Sequence, residues 1–129
     1  MSFRILEHLR DTQEIRVSSM AVAKDKVIKI SPFKLRRVAD VVRGKSLEDA
    51  LAILAHLPHK GAESLMKLIA GAAANAKHND KVEGQLFVKR ILVNEGLKTY
   101  KFQPKARGRM DKLTKRYSQA FVEVDAVTR

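Results

Sequence analysis

The chain has 129 residues, neither cysteine nor tryptophan, and a formal net charge of +12 from 26 Lys and Arg against 14 Asp and Glu. That length fits one domain with an appendage. The missing thiols exclude disulfides and thiolate metal sites, and no apolar run approaches the roughly 20 residues of a membrane span. The cationic excess is more than solubility requires and points to a polyanionic partner, either nucleic acid or an anionic membrane surface.

Residues 1–19 (MSFRILEHLRDTQEIRVSS) mix charges of both signs. They read as a flexible N-terminal extension, mobile or ordered by a partner. Glu7, Asp11 and Glu14 argue against a transit peptide, which is poor in acids. Residues 20–129 read as a single domain. It opens with a strand over Met20–Ile30, with Val22, Ile28 and Ile30 on one side. Ser31-Pro32 starts a helix, because Ser can cap and Pro suits the first helical position. Leu35, Val38, Ala39 and Val42 form its buried stripe, and Gly44 closes it. Ser46-Leu-Glu-Asp49 opens a second helix that Pro58 stops. A third runs from about Lys60 to His78, with Ala62, Leu65, Met66, Ile69, Ala72, Ala73 and Ala76 at helical spacing. Its second half, AGAAANA, has so little bulk that a strand or another backbone can approach closely. Leu86–Val93 and Tyr117–Val124 read as further strands, the latter with Ser118, Ala120, Val122 and Val124 on one face.

Charge concentrates between those last two strands. Residues 1–85 carry 15 basic and 10 acidic side chains, whereas residues 86–129 carry 11 and 4. In Leu97–Arg116, Lys98, Lys101, Lys105, Arg107, Arg109, Lys112, Lys115 and Arg116 face Asp111 alone. Such a run repels itself unless a polyanion covers it. Pro104 and Gly108 bracket a turn at Lys105–Arg109, so the segment reads as a long antiparallel hairpin extending past the sheet. From Asn94 to Ala106 it reaches up to about 40 Å at about 3.3 Å per residue. An isolated ribbon is marginal in water, and this one should be frayed when free and rigid when bound. Tyr100 and Phe102 either stack on unpaired bases or pack across the ribbon. Gly108, between Arg107 and Arg109, permits close approach of a backbone.

Chemistry is otherwise sparse. Arg43-Gly-Lys-Ser46 is similar to the end of a phosphate-binding P-loop, but Ala39 stands where the first Gly is needed and a helix precedes it. His8, His56, His59 and His78 are scattered, which gives no metal set. No catalytic constellation can be assembled. The expectation is a non-enzymatic binding protein with no cofactor and no metal. Lys34, Arg36, Arg37, Arg43, Lys45 and Lys60 should give the globular part some affinity of its own for the same polyanion, which is RNA if the resemblance described next holds. Asn75, His78 and Asn79 form either an RNA-facing polar patch or a hydrogen-bonded helix end. Ser31 and Ser118 complete the candidate RNA contacts.

Three blocks carry a family resemblance: ISPFKLRRVADVVRGKSLEDALAIL, AGAAANAKHN, and VNEG followed by QPKARGRMDKLTKR. From about Met20 to Val124 the chain closely resembles the bacterial-type large-subunit ribosomal protein L-twenty-two family. The resemblance implies an α+β fold of three helices on a three-stranded antiparallel sheet with a long protruding hairpin. It implies binding to large-subunit ribosomal RNA, support of assembly, and neighbouring large-subunit proteins as partners. It places the tip residues Lys105, Ala106, Arg107, Gly108, Arg109 and Met110 in the nascent-peptide exit tunnel, against the growing peptide. It also implies a ribosome in the cytoplasm, with an organellar one left open, and neither a membrane nor a homo-oligomer. Leu97, Met110 and Tyr117-Ser-Gln119 depart from the family's usual residues. The rival is an architectural DNA-binding protein with basic β-arms.

Overall fold

The computed structural model describes residues 21–79 and 81–127. The expected extension, residues 1–19, lies outside them. Among the described residues, three strands and three helices follow in the order β1 (Ala21–Ile28), α1 (Pro32–Val42), α2 (Leu47–His56), α3 (Lys60–His78), β2 (Leu86–Pro104) and β3 (Met110–Ala126), with a 3-10 turn at Ala106–Gly108 between the last two. The strands form one antiparallel sheet in the order β1-β3-β2, so β3 is central. Helix α3 lies over β1 and β3, α1 lies over β2, and α2 packs beside α3.

The core is aliphatic, built from Ala, Val, Ile and Leu. Leu35 and Val42 from α1, Leu65 and Ile69 from α3, and Val88, Ile91, Val122 and Val124 from the sheet are all buried. Burying one such side chain stabilises by about 1.5–3 kcal/mol. The small-residue half of α3 behaves as its composition suggests. Ala72, Ala73 and Ala76 are buried, and the backbone of β1 comes close enough for Asn75 Nδ2 to donate to the Val22 carbonyl at 3.1 Å.

Helix boundaries follow local chemistry, with one exception. Ser46 caps α2 by accepting from the Asp49 amide at 3.3 Å. Ser31 has the backbone geometry of a cap for α1, but its side chain makes no capping bond. The P-loop-like Arg43–Ser46 segment is a helix stop that pairs with β2. The Gly44 amide donates to the Val88 carbonyl at 3.0 Å, and the Val88 amide donates to the Lys45 carbonyl at 2.9 Å.

Strand β1 departs from the expected alternation. Ala21 is buried and Val22 is 38% exposed. Asp25 pairs with Ala120 and Ile28 with Ser118, so one extra residue sits on β1 between them. This bulge moves the core-facing parity from odd to even numbers, which is why Val22 and Ile28 do not share a face.

Candidate nucleic-acid interface

Strands β2 and β3 continue past the core as a ribbon. Their ladder is intact from Lys98↔Arg116 to Pro104↔Met110. Every residue from Leu97 to Arg116 is exposed. The turn falls at the expected five residues: the Lys105 amide donates to the Arg109 carbonyl at 2.7 Å, and the Arg109 amide donates to the Ala106 carbonyl at 3.4 Å. Arg107 and Gly108 both take left-handed backbone angles, with φ of 59° and 69°. Glycine adopts that region freely, whereas arginine is held there at some cost. The tip therefore projects two consecutive left-handed residues, one of them charged.

Two contacts offset part of the ribbon's self-repulsion. Asp111 lies 3.5 Å from Lys105, across the turn rather than beside Arg109 or Lys115. The Lys112 ammonium lies over the Tyr100 ring, 3.8 Å from its centroid, a cation–π contact. The other arm candidates, Lys98, Lys101, Arg109, Lys115 and Arg116, project along the ribbon, where Lys98 also lies 3.7 Å from Glu95.

The ribbon leaves the body at a second kind of joint. Glu95 pairs with Ser118 and Lys98 with Arg116, so Gly96 and Leu97 together oppose Tyr117. A Cβ on Gly96 would sit 3.1 Å from the Tyr117 carbonyl carbon and oxygen, so a side chain there would push the Tyr117 backbone away by a few tenths of an ångström.

On the globular part the candidates divide. Lys34, Arg37 and Lys60 line one concavity of about 240 Å³ between α1 and the start of α3. His59, just before Lys60 in the chain, shares it; sequence weighed His59 only as a metal ligand and gave no reason to set it beside Lys34 and Arg37, which come from α1. Arg36 and Arg43 face the fold. Arg36 donates through two guanidinium nitrogens to the Val93 carbonyl at 3.3 and 3.2 Å. Arg43 donates to the Ile91 carbonyl at 3.0 Å and to Asp40 at 2.6 Å. These carbonyls lie on the free edge of β2, where unpaired groups invite another strand. The two arginines and the Gly44–Lys45 backbone cover that edge, so part of their donor capacity is structural.

Ser118 is turned into the body rather than along the exposed arm. It is 0% exposed, and its hydroxyl donates to the Ile30 carbonyl at 2.9 Å. Strand alternation puts it on the core face beside Ala120, where the bond makes a polar residue tolerable. The Asn75 amide is likewise held by β1, while His78 and Asn79 are exposed at the end of α3. On the open face of the sheet, Lys24 and Arg90 line a concavity of about 250 Å³ with Leu92, Asn94, Gln119 and Phe121. Sequence gave no reason to join these cations, because they lie on opposite edge strands. Elsewhere, on α3, the Lys67 ammonium donates to Glu63 at 2.9 Å and holds that carboxyl below its ordinary range. Among the described residues, no group of three His, Cys, Asp or Glu could hold a metal, and no helix is long and apolar enough to cross a membrane.

The sequence pattern of the family described as Ribosomal protein L22p/L17e matches residues 23–125, which include the whole arm. The chain belongs to that family. Among its relatives, the large ribosomal subunit protein uL22 of Borreliella afzelii (strain PKo) is 42% identical over 111 residues, covering 84% of this chain and 92% of that protein. The uL22 protein of Thermomicrobium roseum is 48% identical over 99 residues, covering 76% and 84%. That of Roseiflexus sp. (strain RS-1) is 45% identical over 106 residues, covering 81% and 94%. For this L22p/L17e member, the matched range takes in arm, turn and return strand alike.

Proposed function

We propose that this protein is a non-enzymatic structural component of the large ribosomal subunit, acting in the cytoplasm, and that it binds the subunit's ribosomal RNA chiefly through the arm. The observation that carries this reading is a paired, coreless ribbon holding eight cations against one anion. Such an element gains little by folding alone. It gains phosphate neutralisation and counterion release when RNA surrounds it. Its width of two strands suits insertion between RNA segments. The cations of the concavity between α1 and α3 supply a second, smaller contact from the body. Kinship with uL22 proteins supports assembly beside other large-subunit proteins and a tunnel-facing tip at Lys105–Met110.

Competition between large-subunit RNA and duplex DNA, titrated with salt, tests the main reading. RNA should win, and its log affinity should fall with log salt by about 0.7–0.9 per phosphate neutralised. A preference for DNA would turn the arm into a groove-binding device and sink the ribosomal reading. The tip can be tested separately because the chain has no cysteine. A photocrosslinker attached to Met110→Cys should label the nascent chain on translating ribosomes. Labelling of ribosomal RNA alone would place the tip away from the peptide.

A further inference from the structure

We infer that the arm has two unlike faces and that one of them binds unpaired nucleobases by stacking. This rests on the RNA-binding reading above and adds the class of RNA recognised. Paired residues in an antiparallel ladder point to the same side. The register therefore puts Lys98, Tyr100, Phe102, Lys112, Thr114 and Arg116 on one face. Thr99, Lys101, Gln103, Asp111, Leu113 and Lys115 occupy the other. The first face holds both aromatic rings, three cations and no acid. The second holds two cations, the arm's single acid and no ring.

Packing within the ribbon does not account for the rings. Tyr100 lies opposite Thr114 and Phe102 opposite Lys112, so neither has an apolar partner directly across. They remain 52% and 68% exposed. Alternate residues of a strand are about 6.8 Å apart, twice the ~3.4 Å repeat of stacked bases. Rings at 100 and 102 can therefore meet every second base of a stacked strand or hold one base between them. Both arrangements need bases free of a duplex. Lys112 covers one face of the Tyr100 ring, so a base would stack on the other face or displace the ammonium, which would then be free to pair with a phosphate. The opposite face can follow a backbone through Lys101 and Lys115 but offers a base no aromatic surface.

The test compares two RNA hairpins of equal length with the full-length protein, one with a purine-rich internal loop and one fully paired. The wild type should prefer the looped RNA by about a hundredfold, about tenfold for each ring. The double variant Tyr100→Leu, Phe102→Leu keeps apolar bulk at exposed positions. It should lose about tenfold per ring on the looped RNA, lose nothing on the paired RNA, and keep the same salt slope. Phe102→Trp should retain the preference, and its emission should be quenched by the looped RNA alone. Equal weakening on both RNAs, or unchanged binding, would overturn the stacking face. If the wild type binds neither RNA in a salt-dependent way, the RNA-binding reading falls and this inference falls with it.

Discussion

Replacing Thr99–Lys115 with Asn-Gly will leave the globular fold standing and weaken large-subunit RNA binding on the order of a thousandfold at moderate salt. The register sets the cut. Lys98 and Arg116 are direct partners, and a two-residue Asn-Gly turn joins such a pair without splaying the strands. The excision removes six of the arm's cations and Asp111, so the salt slope should fall by several units as well. Stability should change by less than about 1 kcal/mol, because exposed residues away from a core contribute little. Circular dichroism melting and filter binding check the two halves separately. An unfolded product would mean that the ribbon belongs to the core, and unchanged affinity would move the interface onto the body.

Leu65→Ala should do the reverse. Leu65 is 0% exposed in the centre of α3, and truncating a buried leucine costs about 2–5 kcal/mol through lost transfer energy and the cavity left behind. Against a total stability of about 5–15 kcal/mol, that is a large share. The melting midpoint should fall by on the order of 10 °C. Below the transition, RNA affinity should be close to wild type, because the arm's charges do not depend on α3. A urea titration with binding measured at low denaturant separates the effects. A parallel loss of affinity in the folded protein would show that the arm's placement is sensitive to the core.

The elements with strong local signals were legible from sequence. Leu35, Val38, Ala39 and Val42, at helical spacing, lie on the buried stripe expected, and Ser118, Ala120, Val122 and Val124, expected to share one face of a strand, are buried together. The turn at Lys105–Arg109 was legible because Pro104 fixes its own φ just before it and Gly108 freely takes the left-handed angle within it. What escaped depends on contacts between distant residues. The β1 bulge adds one residue without leaving a trace in composition, so Val22 was put on the wrong side. Ser118 looked like an RNA contact because a hydroxyl is polar, and only the Ile30 carbonyl, 88 residues away in sequence, explains its burial. Arg36 and Arg43 counted as free cations until the edge of β2 supplied carbonyls for them. Charge totals show that cations are abundant but not which ones already have partners.

The joint at Gly96 makes the arm a lever. A stiff ribbon of about 40 Å magnifies any rotation at its base, so about ten degrees at Gly96 would swing the tip by about 7 Å. The missing Cβ, which would meet the Tyr117 backbone at 3.1 Å, lets the strands close tightly there, and the two-against-one bulge fixes the direction of departure. Aim is thus set where two backbones run close together, by a residue with no side chain. The body acts as the mount, and its seating tolerance decides how accurately six residues at the far end can be placed.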